Sequence, residues 1–127
     1  MISEGRMSGL FALVEDRVVG WCNAARKSDM TAFADDPTPG FDNDQVVFMS
    51  CFMVAPSARG QGAARALLRG AEDWGRSLGM SLIEGNPRPK ANTPGANHFG
   101  PLDLFLSEGY AIDREGRWDS VYVRKLL

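Results

Sequence analysis

A glycine-rich hexapeptide lies between an apolar run and an amphipathic run, and this succession constrains the fold more than any other feature. The hexapeptide is Arg59-Gly60-Gln61-Gly62-Ala63-Ala64. Residues 46–54 before it are apolar and β-prone, whereas residues 63–78 place apolar side chains at helical spacing. Glycine permits a tight bend, and the first N–H groups of a helix have no intrahelical acceptor. The succession therefore predicts a strand, a bend and a helix whose N-terminus binds a pyrophosphate.

Two other glycine motifs would bind phosphate by the same physics. The Walker motif does not match, because no Lys-Ser/Thr pair follows either glycine. The dinucleotide-binding fingerprint matches better, since Glu84 lies where a ribose-binding acid would be. However, Arg65 occupies the third glycine position, and residues 55–58 separate the strand from the glycines. The chain is also too short for the second half of a dinucleotide-binding fold.

The remaining pattern, Arg-x-x-Gly-x-Ala, resembles the phosphate-binding motif of the GCN5-related N-acetyltransferase (GNAT) superfamily, which reads Gln/Arg-x-x-Gly-x-Gly/Ala. Arg59, Gly62 and Ala64 occupy its three specified positions. The resemblance extends over most of the chain from about residue 10. Four other segments resemble segments of the family and occur in the same order along the chain. They are Val18-Val19-Gly20-Trp21-Cys22, residues 48–56, Leu67-Leu68 and Leu104-Phe105-Leu106-Ser107-Glu108-Gly109-Tyr110.

The resemblance implies one α/β domain over residues 1–127, with a mixed, mostly antiparallel sheet and a central β-α-β crossover. It also implies acetyl-coenzyme A as cosubstrate, without a metal. Its pantetheine arm would lie between two strands that part at their C-terminal ends, and the amides of residues 60–64 would bind its pyrophosphate. The implied cofactor-binding residues are Phe52, Met53, Val54, Arg59, Gly60, Gln61, Gly62, Ala63, Ala64, Arg65, Asn86 and Phe105.

The activity implied by the resemblance is acetyl transfer to a primary amine of a small molecule or peptide. The amine must arrive neutral, and a backbone N–H near Met53 or Val54 would stabilise the negative charge that develops on the thioester oxygen. The alternative is a non-catalytic acyl-CoA-binding module of the same fold. Phe105 favours that alternative, because it occupies the position of the tyrosine that commonly protonates the departing thiolate and has no proton to donate.

Three side chains are candidates for proton transfer in place of that tyrosine. Glu84 would relay a proton from the strand beside the gap, or would simply face water at a strand end. His98 would serve as a general base, or would be an exposed loop histidine without a role. Ser107 lies in the segment that contains Phe105.

Composition excludes several other classes of protein. The 127 residues are 44% hydrophobic, enough for one core, and the net charge of -2 disfavours a nucleic-acid surface. No apolar run is long enough to cross a membrane, and residues 1–7 lack the apolar core of a secretory signal. We therefore expect a cytoplasmic protein. Cys22 and Cys51 fall within predicted strands without metal-like spacing, which predicts reduced core thiols.

Periodicity and turn residues give the order of elements. Only residues 1–8 precede the first strand, whereas the family opens with a further strand and two helices. The first hairpin would then have an open edge and an uncovered face, which predicts a homodimer. The predicted elements are a hairpin at 9–15 and 17–25, a loop at 26–44, a strand at 45–54, a helix at 63–78, a strand at 80–84, a loop at 86–101, a helix at 102–107 and strands at 110–113 and 118–125.

Overall fold

The computed structural model describes residues 10–14, 17–30, 33–54, 62–88, 102–116 and 119–127. Neither α-helix in these ranges has the length and apolar character needed to cross a membrane. Two short 3-10 turns, Lys27–Asp29 and Asn43–Gln45, lie in the connection before the third strand. The elements are β1 (Leu10–Val14), β2 (Arg17–Arg26), β3 (Val46–Val54), α1 (Ala63–Ser77), β4 (Leu82–Gly85), α2 (Leu102–Ser107), β5 (Ala111–Glu115) and β6 (Val121–Leu126).

The six strands form one sheet in the order β1-β2-β3-β4-β6-β5. Strands β3 and β4 are parallel, and every other pair of neighbours is antiparallel. Because a parallel pair needs a crossover connection, α1 runs between β3 and β4. The predicted mixed sheet with a central β-α-β crossover is therefore confirmed.

Helix α1 forms where the helical spacing predicts it and ends one residue earlier. Leu67, Leu68 and Ala71 are buried on its inner face, at the i, i+4 spacing that faces a sheet. At its C-terminus Gly79 has φ +71, and the N–H groups of Gly79 and Met80 donate to the carbonyls of Arg76 and Gly75. This left-handed C′ glycine ends the helix and turns the chain toward β4.

The two faces of the sheet are covered differently. Both helices contribute to the core on one face, where Val47, Ile83 and Phe105 are fully buried. On the other face, the described part of the segment 27–45 contributes Met30 and Phe33 to a smaller cluster that also includes Phe48 and Tyr122. The segment is held by hydrogen bonds from Asn43 Nδ2 to the carbonyls at positions 34 and 36, both 2.8 Å. The described part of the predicted polar loop thus covers part of this face.

Candidate functional site

Strands β3 and β4 part after a short ladder. Pairing runs from Val46 opposite Leu82 to Met49 opposite Gly85, where β4 ends. Strand β3 continues through residues 50–54 and stays paired with β2, since Val54 still lies opposite Gly20. Among the described residues, the other edge of residues 50–54 therefore has no strand neighbour. Its unpaired N–H and C=O groups can bind an extended ligand as a further strand would.

A β-bulge lies where the ladder ends. In the β2–β3 pair Ala24 lies opposite Met49 and Asn23 opposite Cys51, so that Ser50 is the additional residue on β3. A bulge bends its strand and increases the local twist. Since the bulge follows directly on the last pair with β4, it accounts for the departure of β3 from its parallel neighbour. The gap is thus a property of the backbone.

The N-terminus of α1 has the features of an anion-binding site. Gly62 is the N-cap residue with φ +80, and its carbonyl accepts the first helical hydrogen bond from Ala66, at 2.9 Å. Among the described residues no side chain caps this end, and the first turn contains no acidic residue. The N–H groups of Ala63, Ala64 and Arg65 precede that first hydrogen bond and have no acceptor within the helix. This is the half of the predicted cradle that the structure describes, and Arg59, Gly60 and Gln61 lie outside the described residues.

Arg65, expected to add charge at this helix end, is held by α2 and the residue after it. Its guanidinium donates to Glu108 at 2.5 Å and to the Ser107 hydroxyl at 3.1 Å. Arg69 donates to the other oxygen of Glu108 at 2.6 Å. The Arg69 guanidinium, assisted by Arg65, lowers the pKa of Glu108 to about 2. The two arginines and one carboxylate leave one positive charge beside the α1 N-terminus.

Ser107 is exposed on α2. Its hydroxyl donates to the carbonyl of Leu104 at 2.8 Å, in addition to accepting from Arg65. The described structure gives this hydroxyl no side-chain base that would activate it. Its catalytic role stays a prediction.

Phe105 lies at the base of the gap. Its side chain is fully buried, with its ring edge-on to Tyr110 at a centroid distance of 5.1 Å. A Cβ atom built on Gly85 would lie 2.7 Å from Phe105 Cζ, so the ring occupies the space beside the last residue of β4. The tip of the ring therefore points to the place where the strands part, although a phenyl ring has no proton to donate there.

Glu84 does not face water, so the interpretation of Glu84 as a solvent-exposed carboxylate at a strand end is wrong. Its side chain is fully buried on the face away from the helices. One carboxylate oxygen accepts from Lys27 Nζ at 2.6 Å and the other from Arg114 at 3.0 Å. Lys27 is also fully buried, donates to Thr38 Oγ1 at 2.8 Å, and has a pKa lowered by desolvation. A proton relay through Glu84 stays a prediction and would require the carboxylate to exchange these partners.

The sequence did not reveal the rest of this polar cluster. The Arg114 guanidinium lies 4.0 Å from the centroid of the Tyr122 ring, and the Tyr122 hydroxyl donates to Asp36 at 2.7 Å. Burial, together with the bond to Asp36, raises the pKa of Tyr122. Since Lys27 follows directly on a strand, its position is typical of an exposed lysine. No local pattern indicates that it is buried beside Glu84.

Asn86, the first residue after β4, has an unsatisfied side-chain carbonyl. The residue is 5% exposed, and Oδ1 has no hydrogen-bond partner in the part of the chain that the structure describes.

The other predicted site residues lie in two places. The backbone of Phe52, Met53 and Val54 forms the edge of β3 that has no strand neighbour among the described residues. His98 lies outside the described residues. Among the described residues, no group of three or more His, Cys, Asp or Glu side chains is placed to hold a metal ion.

Comparison with known proteins gives a consistent result. The model of the acetyltransferase (GNAT) family matches residues 2–96. Similar solved structures include the GNAT domain of S. lividans PAT, with 19% identity and a TM-score of 0.67 over 94% of this chain and 60% of that chain. The ribosomal-protein-alanine N-acetyltransferase from Brucella melitensis has 22% identity and a TM-score of 0.62, over 94% and 68% of the two chains. No curated protein gives a significant match.

A third similar structure is that of the PaiA N-acetyltransferase from Thermoplasma acidophilum in complex with coenzyme A. It has 11% identity and a TM-score of 0.66, over 94% of this chain and 60% of that chain. The chain thus spans 60% of the length of two of these structures and 68% of the third. At such low identities the likeness establishes the fold.

Proposed function

The chain belongs to the acetyltransferase (GNAT) family, and from this premise we propose that it transfers an acetyl group from acetyl-coenzyme A to a primary amine of a small molecule or peptide. The observation that carries this proposal is the gap between β3 and β4. The ladder ends at Met49 and Gly85 while β3 continues for five residues, which leaves an open strand edge for the pantetheine arm. We further propose that the protein is a cytoplasmic homodimer.

The residues around the gap fit an acyl-CoA. The N-terminus of α1, with Gly62 at φ +80, would receive the pyrophosphate on the backbone N–H groups of its first turn. Arg65 lies in that turn and remains 41% exposed within its ion pair with Glu108. Asn86 would bind the pantetheine arm through its main chain, and Phe105 would close the base of the gap. Arg59, Gly60, Gln61, Ala63 and Ala64 complete the proposed cradle.

When bound, acetyl-coenzyme A supplies a thioester whose carbonyl carbon accepts the amine. The unpaired edge of β3 has backbone N–H groups at the gap, and one at Met53 or Val54 would donate to the thioester oxygen as negative charge develops there. This interaction needs only a fixed backbone. It is therefore compatible with the unusual side chains of this site.

Departure of the thiol does not require the missing tyrosine. A thiol has a pKa of about 8.5, so coenzyme A leaves readily as a thiolate. The side chain of Phe105 is consistent with departure of coenzyme A as an unprotonated thiolate, since it shapes the gap and transfers no proton. His98, Ser107 and Glu84 remain the proposed routes for the proton lost by the amine, with water as the intermediary.

A second function, acyl-CoA binding without transfer, is motivated by Phe105 and by the ion pairs that occupy Glu84. Thermal unfolding with acetyl-coenzyme A distinguishes the two functions. At a ligand concentration one hundred times Kd, binding contributes about 2.7 kcal/mol and raises Tm by several degrees. Transfer predicts, in addition, release of free thiol when a panel of primary amines is supplied. Stabilisation without thiol release supports the binding module, and no stabilisation by either acetyl-coenzyme A or coenzyme A contradicts both functions.

A further inference from the structure

Trp21 lies on the face of the sheet opposite the helices. Its neighbour Cys22 and the next residue but one after that, Ala24, are fully buried in the core on the helical face. Because successive residues of a strand point to alternate faces, Trp21 and Ala25 point to the other face, where Ala25 belongs to the smaller cluster. Trp21 is only partly buried and, among the described residues, belongs to neither core cluster. Its indole thus retains exposed surface on this face.

The strand pairing places Trp21 beside the open part of β3. Its partner on β3 is Met53, four residues beyond Met49, the last residue that pairs with β4. Neighbouring strands lie about 4.8 Å apart, so the indole leaves the sheet one strand away from the backbone N–H groups of the open edge. Ala25 is about 13 Å further along β2. Trp21 therefore lies at the level of the gap, beyond the apolar contacts that the structure describes for the segment 27–45.

The two faces of the sheet give the two reactants separate approaches. This inference rests on the proposed function, in which the pyrophosphate is bound at the α1 N-terminus and the thioester lies between the parted strands near Met53. Since α1 places the cofactor on the helical side, the amine would approach the thioester from the other face, where Trp21 lies. We propose that the Trp21 ring packs against the carbon skeleton of the acceptor, and that the acceptor is an amine with an apolar, best an aromatic, group.

The charges on this face favour an apolar group over a second ammonium group. An indole can bind either, because its ring attracts cations as well as apolar surfaces. Glu84 and Asp36, the carboxylates of the polar cluster on this face, already accept hydrogen bonds from side chains of the protein. A second ammonium would have to displace these donors to reach either carboxylate. An apolar group requires no such exchange.

Trp21 acts on binding and takes no part in the bond changes. The lone pair of the amine forms the new C–N bond, the electron pair of the C–S bond leaves on sulfur, and one N–H proton passes to water. The indole contributes only contact area that is removed from water. It therefore selects among amines of similar basicity by their apolar surface.

The test uses adducts of coenzyme A, so that the natural amine need not be known. In each adduct the sulfur is joined through a methylene to the carbonyl of an amide whose nitrogen carries a propyl, a 2-phenylethyl or a 2-aminoethyl group. The three share the atoms around the attacking nitrogen and differ in the apolar area and charge beyond it. Affinities of the full chain and of its Trp21→Ala and Trp21→Phe variants for coenzyme A and the adducts are measured by titration calorimetry.

Trp74→Ala is the matched control. Trp74 is also partly buried, but it lies on α1 and packs against the core on the helical face. Its replacement removes an indole of the same size from the opposite side of the sheet. A loss of stability common to both alanine variants is thereby separated from a change in the choice of adduct.

We expect the wild-type protein to bind the phenylethyl adduct about ten- to thirtyfold more tightly than the propyl adduct, the range of one covered apolar group with an aromatic contact. The aminoethyl adduct should bind no more tightly than the propyl adduct. Trp21→Ala should lose most of the preference for phenylethyl and Trp21→Phe should keep part of it, with the affinity for coenzyme A unchanged in both. Trp74→Ala should keep the whole preference.

Equal wild-type affinities for the propyl and phenylethyl adducts would overturn the inference, whether or not the variants fold. A preference for the aminoethyl adduct, or a phenylethyl preference that survives in Trp21→Ala, would overturn it as well. So would a loss of coenzyme A affinity in Trp21→Ala, which would assign the indole to the cofactor arm. Binding of coenzyme A without binding of any adduct overturns this inference alone. If coenzyme A itself does not bind the wild-type protein, the proposed function fails.

Discussion

At the scale of single residues, the most unusual feature is the buried ion pair between Lys27 and Glu84. Removal of two charges from water costs more free energy than their attraction returns, unless further hydrogen bonds complete the site. Here Thr38 accepts a second bond from Lys27, and Arg114 donates to the other oxygen of Glu84. The pair therefore holds Lys27, and through it Thr38, against β4.

Removal of one partner of this pair should destabilise the protein strongly. Glu84→Ala leaves the Lys27 ammonium buried without its carboxylate, and we expect a loss of about 3–5 kcal/mol in the free energy of unfolding. Urea unfolding at neutral pH measures this loss. The double variant Lys27→Met with Glu84→Gln, which removes both charges and keeps an acceptor for Arg114, should lose less than Glu84→Ala. Equal losses would show that the uncompensated charge is not the cause.

A second prediction at this scale concerns the close approach of Gly85 and Phe105. In Gly85→Ala the new methyl group would lie 2.7 Å from Cζ and 2.8 Å from Cε1 of the ring. We expect a loss of about 1–3 kcal/mol from overpacking, measured by urea unfolding. Combination with Phe105→Leu should recover part of this loss, because the ring is removed. Strict additivity of the two changes would contradict the contact.

At the scale of secondary-structure elements, Glu108 joins the helices by binding arginines on the first two turns of α1. Its folded-state pKa of about 2 is below the value of about 4.3 for an unfolded chain. A lowered carboxyl pKa contributes stability that is complete above the unfolded value and is lost as the pH falls through the folded value. The attachment of the segment after α2 to α1 is thus sensitive to acid.

We predict that the contribution of Glu108 to stability disappears between about pH 4.5 and pH 2. Chemical unfolding of the wild-type protein and of Glu108→Gln is compared over this range. The difference between the two proteins should be largest above pH 5 and should shrink on acidification. A difference that does not change with pH would show that the ion pairs with Arg65 and Arg69 contribute nothing measurable.

The two ends of α1 provide a matched pair of glycines for testing the cradle. Gly62 has φ +80 and Gly79 has φ +71, and a Cβ at either position would meet no atom within 4 Å. Valine at either position should therefore cost a similar amount of stability, about 1–2 kcal/mol, through backbone conformation alone. Only Gly62→Val should weaken the binding of coenzyme A, by about tenfold or more, because only it disturbs the anion-binding N-terminus. Equal affinities of the two variants for coenzyme A, measured by calorimetry, would contradict the cradle.

At the scale of the whole molecule, β1 and β5 are the outer strands of the described sheet. On β5 Ile112 is 52% exposed, and outer strands present unpaired backbone groups. The homodimer predicted from the first hairpin is tested by light scattering after gel filtration. We expect twice the chain mass of 13.9 kDa, whereas a mass that stays at that of one chain at all concentrations would contradict a dimer.

Local sequence determined the elements and the backbone part of the site. Helical spacing, as of Leu67, Leu68 and Ala71, and turn residues predicted each described strand and α-helix, with boundary shifts of a few residues, because such patterns depend on neighbours in the chain. The two short 3-10 turns fall within the predicted loop at 26–44. The family motif around Gly62 predicted a helix end that binds anions for the same reason. The motif also covers residues that the structure does not describe, so its full test lies in the ligand-binding experiments.

Tertiary structure alone decided where the buried charges and the unsatisfied amide lie. Lys27 and Glu84 are 57 positions apart, and no local pattern brings them together. The environment of Asn86 likewise depends on the β5–β6 connection, where Gly116 leaves room for its side chain. Periodicity specifies which face a residue occupies within its own element. The partners that it meets there are determined by the packing of distant segments, which only the folded chain defines.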